Sequence, residues 1–232
     1  MHSYIETFDD GPGGWHTQQD NFTQYRRLED QPGLLTSRSP WFVDYNHAPP
    51  GGGYLHLLFC LLTKGPFGEA AMEIGGRNRF WEDGCPRDFT NAKLTLRLKG
   101  ELELRGAQFC FWAQADANDT IANWCYTAEP IRVTREWSEQ SITIVPDEKR
   151  WTFMGSRHNR TDSYGYAPLE QVLSDVNIDI ILVLFPLNVV PMGPIDGDMH
   201  QLRPVVDYPI WHSKLPEGYV TLDTIRIDFP NS

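Results

Sequence analysis

Strict alternation of apolar and polar residues recurs along the chain and predicts short β-strands. Over residues 92–98, Leu94, Leu96 and Leu98 share one face while Lys93, Thr95 and Arg97 share the other. Residues 141–145 repeat the pattern with Ile142 and Ile144 inward. Longer strands are expected over 54–62, 107–115, 177–185 and 219–229. The stretch 180–185 is apolar on both parities, as in a central strand covered on both sides. Only 168–175 has helical spacing, with Leu169, Val172 and Leu173 on one face. Glycines and prolines punctuate the whole length, and there is neither an internal repeat nor a linker-like stretch. Many strands, frequent turns and one short helix predict a single all-β sandwich domain of jelly-roll type over residues 1–232.

Alternation also sorts side chains by face. In the 54–62 strand, Leu55, Leu57, Phe59 and Leu61 are expected in the core, and Tyr54, His56, Leu58, Cys60 and Leu62 opposite. In the 107–115 strand, Ala107, Phe109, Phe111 and Ala113 are expected in the core, and Gln108, Cys110, Trp112 and Gln114 opposite. The second face mixes aromatic with hydrogen-bonding groups. A concave sheet that binds sugars needs both, flat apolar platforms and directional polar groups. The same face covered by loops, with Trp112 as ordinary core, is the equally weighted alternative.

The 232 residues carry 20 Lys+Arg against 31 Asp+Glu, a formal net charge of −11. That balance speaks against nucleic acid and anionic membrane as partners. It leaves cationic or neutral polar small molecules and glycans open. Cys60, Cys85, Cys110 and Cys125 form no CxxC pair; Cys60 and Cys110 lie in apolar strands and read as buried thiols. The chain start has no basic segment followed by an apolar one, and 180–186 is too short to span a bilayer. A cytoplasmic, complete and unexported chain is the simplest expectation. Oligomeric state is not legible.

The opening Glu6-Thr7-Phe8-Asp9-Asp10-Gly11 with Gly13-Gly14-Trp15, and the closing 220–227 segment with Asp223, resemble the first and last strands of galactose-binding-like jelly rolls, which include many carbohydrate-binding modules. The resemblance covers roughly twenty residues at the two ends. It implies that the end strands lie together and that Asp9 and Asp223 bind a structural calcium. The alternative is that Asp9 and Asp10 make a turn and Asp223 caps a strand end. The alternating carboxylates of concanavalin-like glucanases are absent, which weakens a hydrolase of that type.

Candidate chemistry concentrates in the middle of the chain. Residues 39–56 bring Trp41, Asp44, Tyr45, His47 and His56 together around a Pro-Pro-Gly-Gly-Gly loop. His47 and His56, with Tyr45, are candidate proton carriers, and Asp44 would orient a histidine. Polar ligand contacts, loop-stabilising hydrogen bonds and metal binding are the other readings of that set. Residues 73–81 place Arg77, Arg79 and Trp81 after Gly75-Gly76, where a guanidinium could hold a carboxylate and an indole could stack on a sugar, or where the arginines simply pair with surface acids. Tyr164 belongs to a third aromatic-basic group, at 151–166, suited to a rim or to loop packing. No phosphate loop, nucleophile elbow, H-E-x-x-H or dinucleotide fingerprint occurs.

Three functions are therefore expected in order. The first is recognition of a carbohydrate or glycoside-like ligand, with Trp41, Trp81 and Trp112 stacking and His56, Gln108, Gln114, Arg77 and Arg79 hydrogen-bonding. The second is a lyase, isomerase or cyclase on the same scaffold. The third is a ligand-free interaction protein.

Overall fold

The structure, a computed structural model, describes residues 2–18, 25–44, 54–64, 73–154, 164–188 and 214–230. Two antiparallel six-stranded sheets face each other as a β-sandwich. The first sheet contains β4 (Glu29–Gln31), β5 (Leu34–Arg38), β8 (Lys93–Glu103), β11 (Ser138–Thr143) and β14 (Glu217–Phe229), in the order β11-β8-β14-β5-β4. In the same sheet β1 (His2–Glu6) also pairs with β14. The second sheet runs β12 (Trp151–Phe153), β10 (Ile121–Tyr126), β9 (Gln108–Asp116), β13 (Asp179–Leu187), β7 (Tyr54–Leu62) and β6 (Val43–Asp44). A separate ribbon pairs β2 (Thr17–Gln18) with β3 (Tyr25–Arg26). The expected helix is present as α2 (Leu169–Ser174), with Leu169, Val172 and Leu173 buried against β9 and β10. A short helical turn, α1 (Arg79–Glu82), is capped by the Asn78 side chain, which accepts from Trp81 N at 3.1 Å. Among the described residues no helix is long and apolar enough to cross a membrane.

The inter-sheet core is built from the alternating rows. Leu94, Leu96 and Leu98 of β8 and Ile225 and Ile227 of β14 meet Phe109, Phe111 and Ala113 of β9 and Ile180, Leu182 and Leu184 of β13. β13 lies between β9 and β7, and the opposite parity of the same strand, Ile181, Val183 and Phe185, is buried on the outer side. That is the both-sided burial its unbroken apolar run requires.

β14 shifts register between Leu222 and Thr224, and β7 departs from simple alternation at a place that moves a candidate residue. Cys60 opposes Ile181 and Phe59 opposes Leu182, but Val183 opposes Leu57, so Leu58 is an extra residue in β7. Such a bulge reverses the parity of what precedes it. Phe59 and Leu61 face the inter-sheet core, and so do Tyr54 and Leu58; Leu55, Leu57 and Cys60 face outward. The expected split of this strand therefore holds after the bulge and inverts before it.

The two ends of the chain lie side by side, with β1 antiparallel to β14 from His2 opposite Phe229 to Glu6 opposite Ile225. The glycines that follow β1 have a packing reason. A Cβ on Gly13, whose φ is +62°, would sit 2.1 Å from Glu6 Oε2, and one on Gly75 would sit 2.8 Å from Gly14 O. Gly14 N donates to Gly75 O at 2.8 Å, and Trp15 Nε1 donates to the Tyr4 hydroxyl at 3.0 Å. The opening motif and the 73–81 segment thus form one tightly packed corner.

Candidate functional site

Register across the second sheet assembles a polar row on its outer face. Asp179 of β13 opposes Gln114 of β9, and Gln114 opposes Asn123 of β10. The next row is Cys60, Ile181, Trp112 and Cys125. Asp44 opposes Leu55 on the same face, nearer the other end of β7. This face is enclosed: Trp112 is 2% exposed, Gln114 5%, Asn123 0% and Asp179 7%. The Gln114 amide donates to Asn123 Oδ1, and Asn123 Nδ2 has no hydrogen-bond partner among the described residues. Burial first, and then the Asp179 and Asp44 carboxylates, push the Cys60 thiol far up. Burial and the neighbouring Cys110 do the same to Cys125. These thiols are therefore protonated at neutral pH and serve as packing groups. A carboxylate, two amides and an indole make a set that accepts from and donates to hydroxyls against an apolar wall. The row contains no cation for phosphate.

The structure distributes the expected site residues unevenly. Trp112 and Gln114 come together as anticipated, and Gln108 shares their face but lies exposed at the far end of β9. Tyr164 is buried and bridges to Ile121 at the start of β10. Asp44 is buried on the outer face, whereas Tyr45 and His47 lie outside the described residues.

His56 is on the opposite side from the one its parity predicts, because the Leu58 bulge intervenes. It opposes Leu184 and Val43, both core residues, and its ring lies 5.7 Å from that of Trp41. Its Nδ1 is 2.8 Å from Phe42 O. A carbonyl can only accept, so Nδ1 carries the proton and Nε2 is the bare nitrogen. Burial lowers this ring from 6.5 to about 4. His16 is alike, its Nδ1 bonded to Gly14 O at 3.1 Å and its pKa lowered to about 4 by burial. Trp41 is also core, donating Nε1 to Ser37 Oγ at 2.9 Å.

The arginine pair does not reach this face. Arg77 is bound to Glu82, and Arg79 donates to Asp10 Oδ2 at 2.6 Å with Glu6 3.8 Å away. Trp81 stands on α1 and is 51% exposed, away from Trp112. At the chain ends, Asp9 accepts from Thr7 Oγ1 at 2.7 Å, and Asp223 pairs with Arg97 at 2.8 Å. Among the described residues no three His, Cys, Asp or Glu side chains converge on a common point. Calcium takes six to eight oxygens. Asp9 and Asp223 each already hold a side-chain partner, so a calcium there would need carbonyl or other oxygens beside them.

Asp179 and Asn123 were not among the expected site residues. Asp179 stands at the head of an apolar strand, where an acid reads as a strand-end group. Asn123 lies in β10, a strand whose alternation (Ala122, Trp124 and Tyr126 inward; Asn123 and Cys125 outward) is present in the sequence and gives the right faces.

No protein-family model matches the chain, and no curated protein matches it. One solved structure is similar over 98% of this chain and 99% of its own, at 14% identity and a TM-score of 0.37. It comes from work on endo-acting O-glycanases with which prominent members of the human gut microbiota initiate mucin breakdown. A likeness at that TM-score carries no argument about this chain.

Proposed function

We propose that this protein recognises a neutral, polyhydroxylated ligand of carbohydrate or glycoside type on the outer face of its second sheet. The observation that supports the reading is the unbroken row Asp179–Gln114–Asn123 across three adjacent strands, beside Trp112. Asp179 would accept from ligand hydroxyls, Gln114 and Asn123 would supply amide donors and acceptors, and Trp112 would give the apolar wall. Trp41, His56, Arg77, Arg79 and Trp81 have no part in this revised set, because they lie on other faces. Tyr45 and His47 stay in the proposal on sequence grounds alone, following directly from Asp44.

A second reading, acid–base turnover of such a ligand, is favoured by the burial of two carboxylates, Asp44 and Asp179, on one face. In either reading the ligand is enclosed rather than displayed on an open platform, because this face is buried.

A thermal-shift screen against neutral and acidic glycans and glycosides tests both, with each hit checked for products by mass spectrometry. A stabilising ligand recovered unchanged, whose effect is lost in Asp179→Asn and Gln114→Ala, supports binding. A consumed ligand with turnover lost in Asp44→Asn or Asp179→Asn makes the protein an enzyme. Hits unaffected by substitutions at these positions would overturn the placement of the site. The calcium implied by the chain ends is a separate proposal that requires Asp223 to leave Arg97. An unchanged melting temperature with EDTA and with added calcium would end it.

A further inference from the structure

A cavity remote from the polar row opens at the edge of the sandwich. It is a half-open cleft of about 410 Å3 at the segment joining β10 to β11, with Leu94, Leu96, Ile131 and Ile142 as its apolar wall and Ser138, Gln140 and Ser141 on its polar side. Leu94 and Leu96 are inward residues of β8, and Ile142 is the inward residue of β11 opposite Leu94. The covering segment is pinned at both ends, by Ile131 N to Phe109 O at 2.7 Å and by Gly100 N to Thr134 O at 2.8 Å. Between these anchors the Gln140 side chain accepts from Arg132 N at 2.9 Å and donates to Arg132 O. The backbone of the cover is thus held in place, and the cavity is formed before any ligand arrives.

Charge at the rim is one-sided. Glu129 is neutralised by Arg150. Arg132 lines the cavity with an exposed side chain and makes no ion pair among the described residues. In a chain of net charge −11, a guanidinium without an ion pair among the described residues, at the mouth of a cleft with an aliphatic wall, selects for one kind of molecule. We infer that this cavity binds an aliphatic carboxylate, with its hydrocarbon chain on Leu94, Leu96, Ile131 and Ile142 and its carboxylate on Arg132. A cavity of this volume is in the range of small-ligand sites and has room for a medium-length acyl chain.

Sodium decanoate is the probe, titrated calorimetrically into the full chain beside 1-decanol and sodium butyrate. Saturable decanoate binding is expected, with butyrate at least tenfold weaker because it lacks the chain. Arg132→Gln, an exposed change that leaves the core intact, should weaken decanoate at least tenfold and leave decanol unchanged. Ser138→Trp, which projects into the cavity, should abolish both. Absence of saturable binding, equal decanoate affinity in Arg132→Gln, or binding that survives Ser138→Trp in a folded variant would each overturn the assignment.

Discussion

His56 and His16 are buried rings whose Nδ1 protons are committed to backbone carbonyls. Both are neutral when folded, since burial lowers each from 6.5 to about 4. Protons therefore bind the unfolded chain more readily. The stability each ring contributes is fully present above pH 6.5 and is lost as pH falls toward 4. At pH 5 the loss is about 2 kcal/mol per ring. Denaturant unfolding at pH 7.5 and pH 5 should show this decline, and His56→Gln should flatten it by about half. An identical slope in the variant would refute the role given to the buried ring. Glu6 acts in the opposite sense, because burial raises its carboxyl. Its contribution is present below its ordinary 4.5 and is lost as pH rises through its folded value, so it partly offsets the histidines. The proton-carrier role expected of His56 is overturned, because burial holds its ring neutral with Nδ1 committed to Phe42 O; His16 was not singled out by the sequence. The face that His56 occupies was not legible either, because one inserted residue at Leu58 reverses it.

Strand β13 is the element on which both layers depend. Leu182 is packed between the sheets and Ile181 lies beside Trp112 on the outer side, both almost fully buried. Ile181→Ala and Leu182→Ala should therefore each lower stability by about 3 kcal/mol, in contrast to a one-sided strand, where only one parity matters. Urea unfolding checks this; a cost below about 1 kcal/mol at Ile181 would mean that the outer face is not truly enclosed. The double-sided burial follows from an apolar run without alternation. In the same way β8 and β11 follow from strict alternation, and α2 from its apolar spacing. The short strands β1 to β6 and β12 do not follow, since two to five residues carry too little periodicity to stand out from turns. They are strands because a neighbouring strand offers hydrogen bonds.

Across the whole molecule, the pairing of β1 with β14 joins the chain's ends and buries Tyr4, whose hydroxyl accepts from Trp15. Deleting residues 1–6 should expose part of β14 and lower the melting temperature by about 10 °C or more. A truncated chain that melts with the full-length one would show that this pairing contributes nothing. The sandwich class, the enclosed central strand, the union of the end strands and the shared face of Trp112 and Gln114 were all determined by local pattern, or by short motifs at the chain ends. All but the union of the end strands depend on periodicity or residue type along a single segment; that union was implied by the resemblance of the two chain ends to jelly-roll end strands. The polar row needed more. Asp179, Gln114 and Asn123 come from strands far apart in the chain, and only the register between β13, β9 and β10 sets them side by side. Tertiary structure alone also decided that Arg79 serves Glu6 and Asp10, that Asp223 pairs with Arg97, and that Arg132, without an ion pair among the described residues, stands beside an apolar cleft. The physical reason is the same in each case: side-chain spacing along one strand is set by covalent geometry, whereas the partner across a sheet or a loop is set by which hydrogen-bond register buries the most apolar surface.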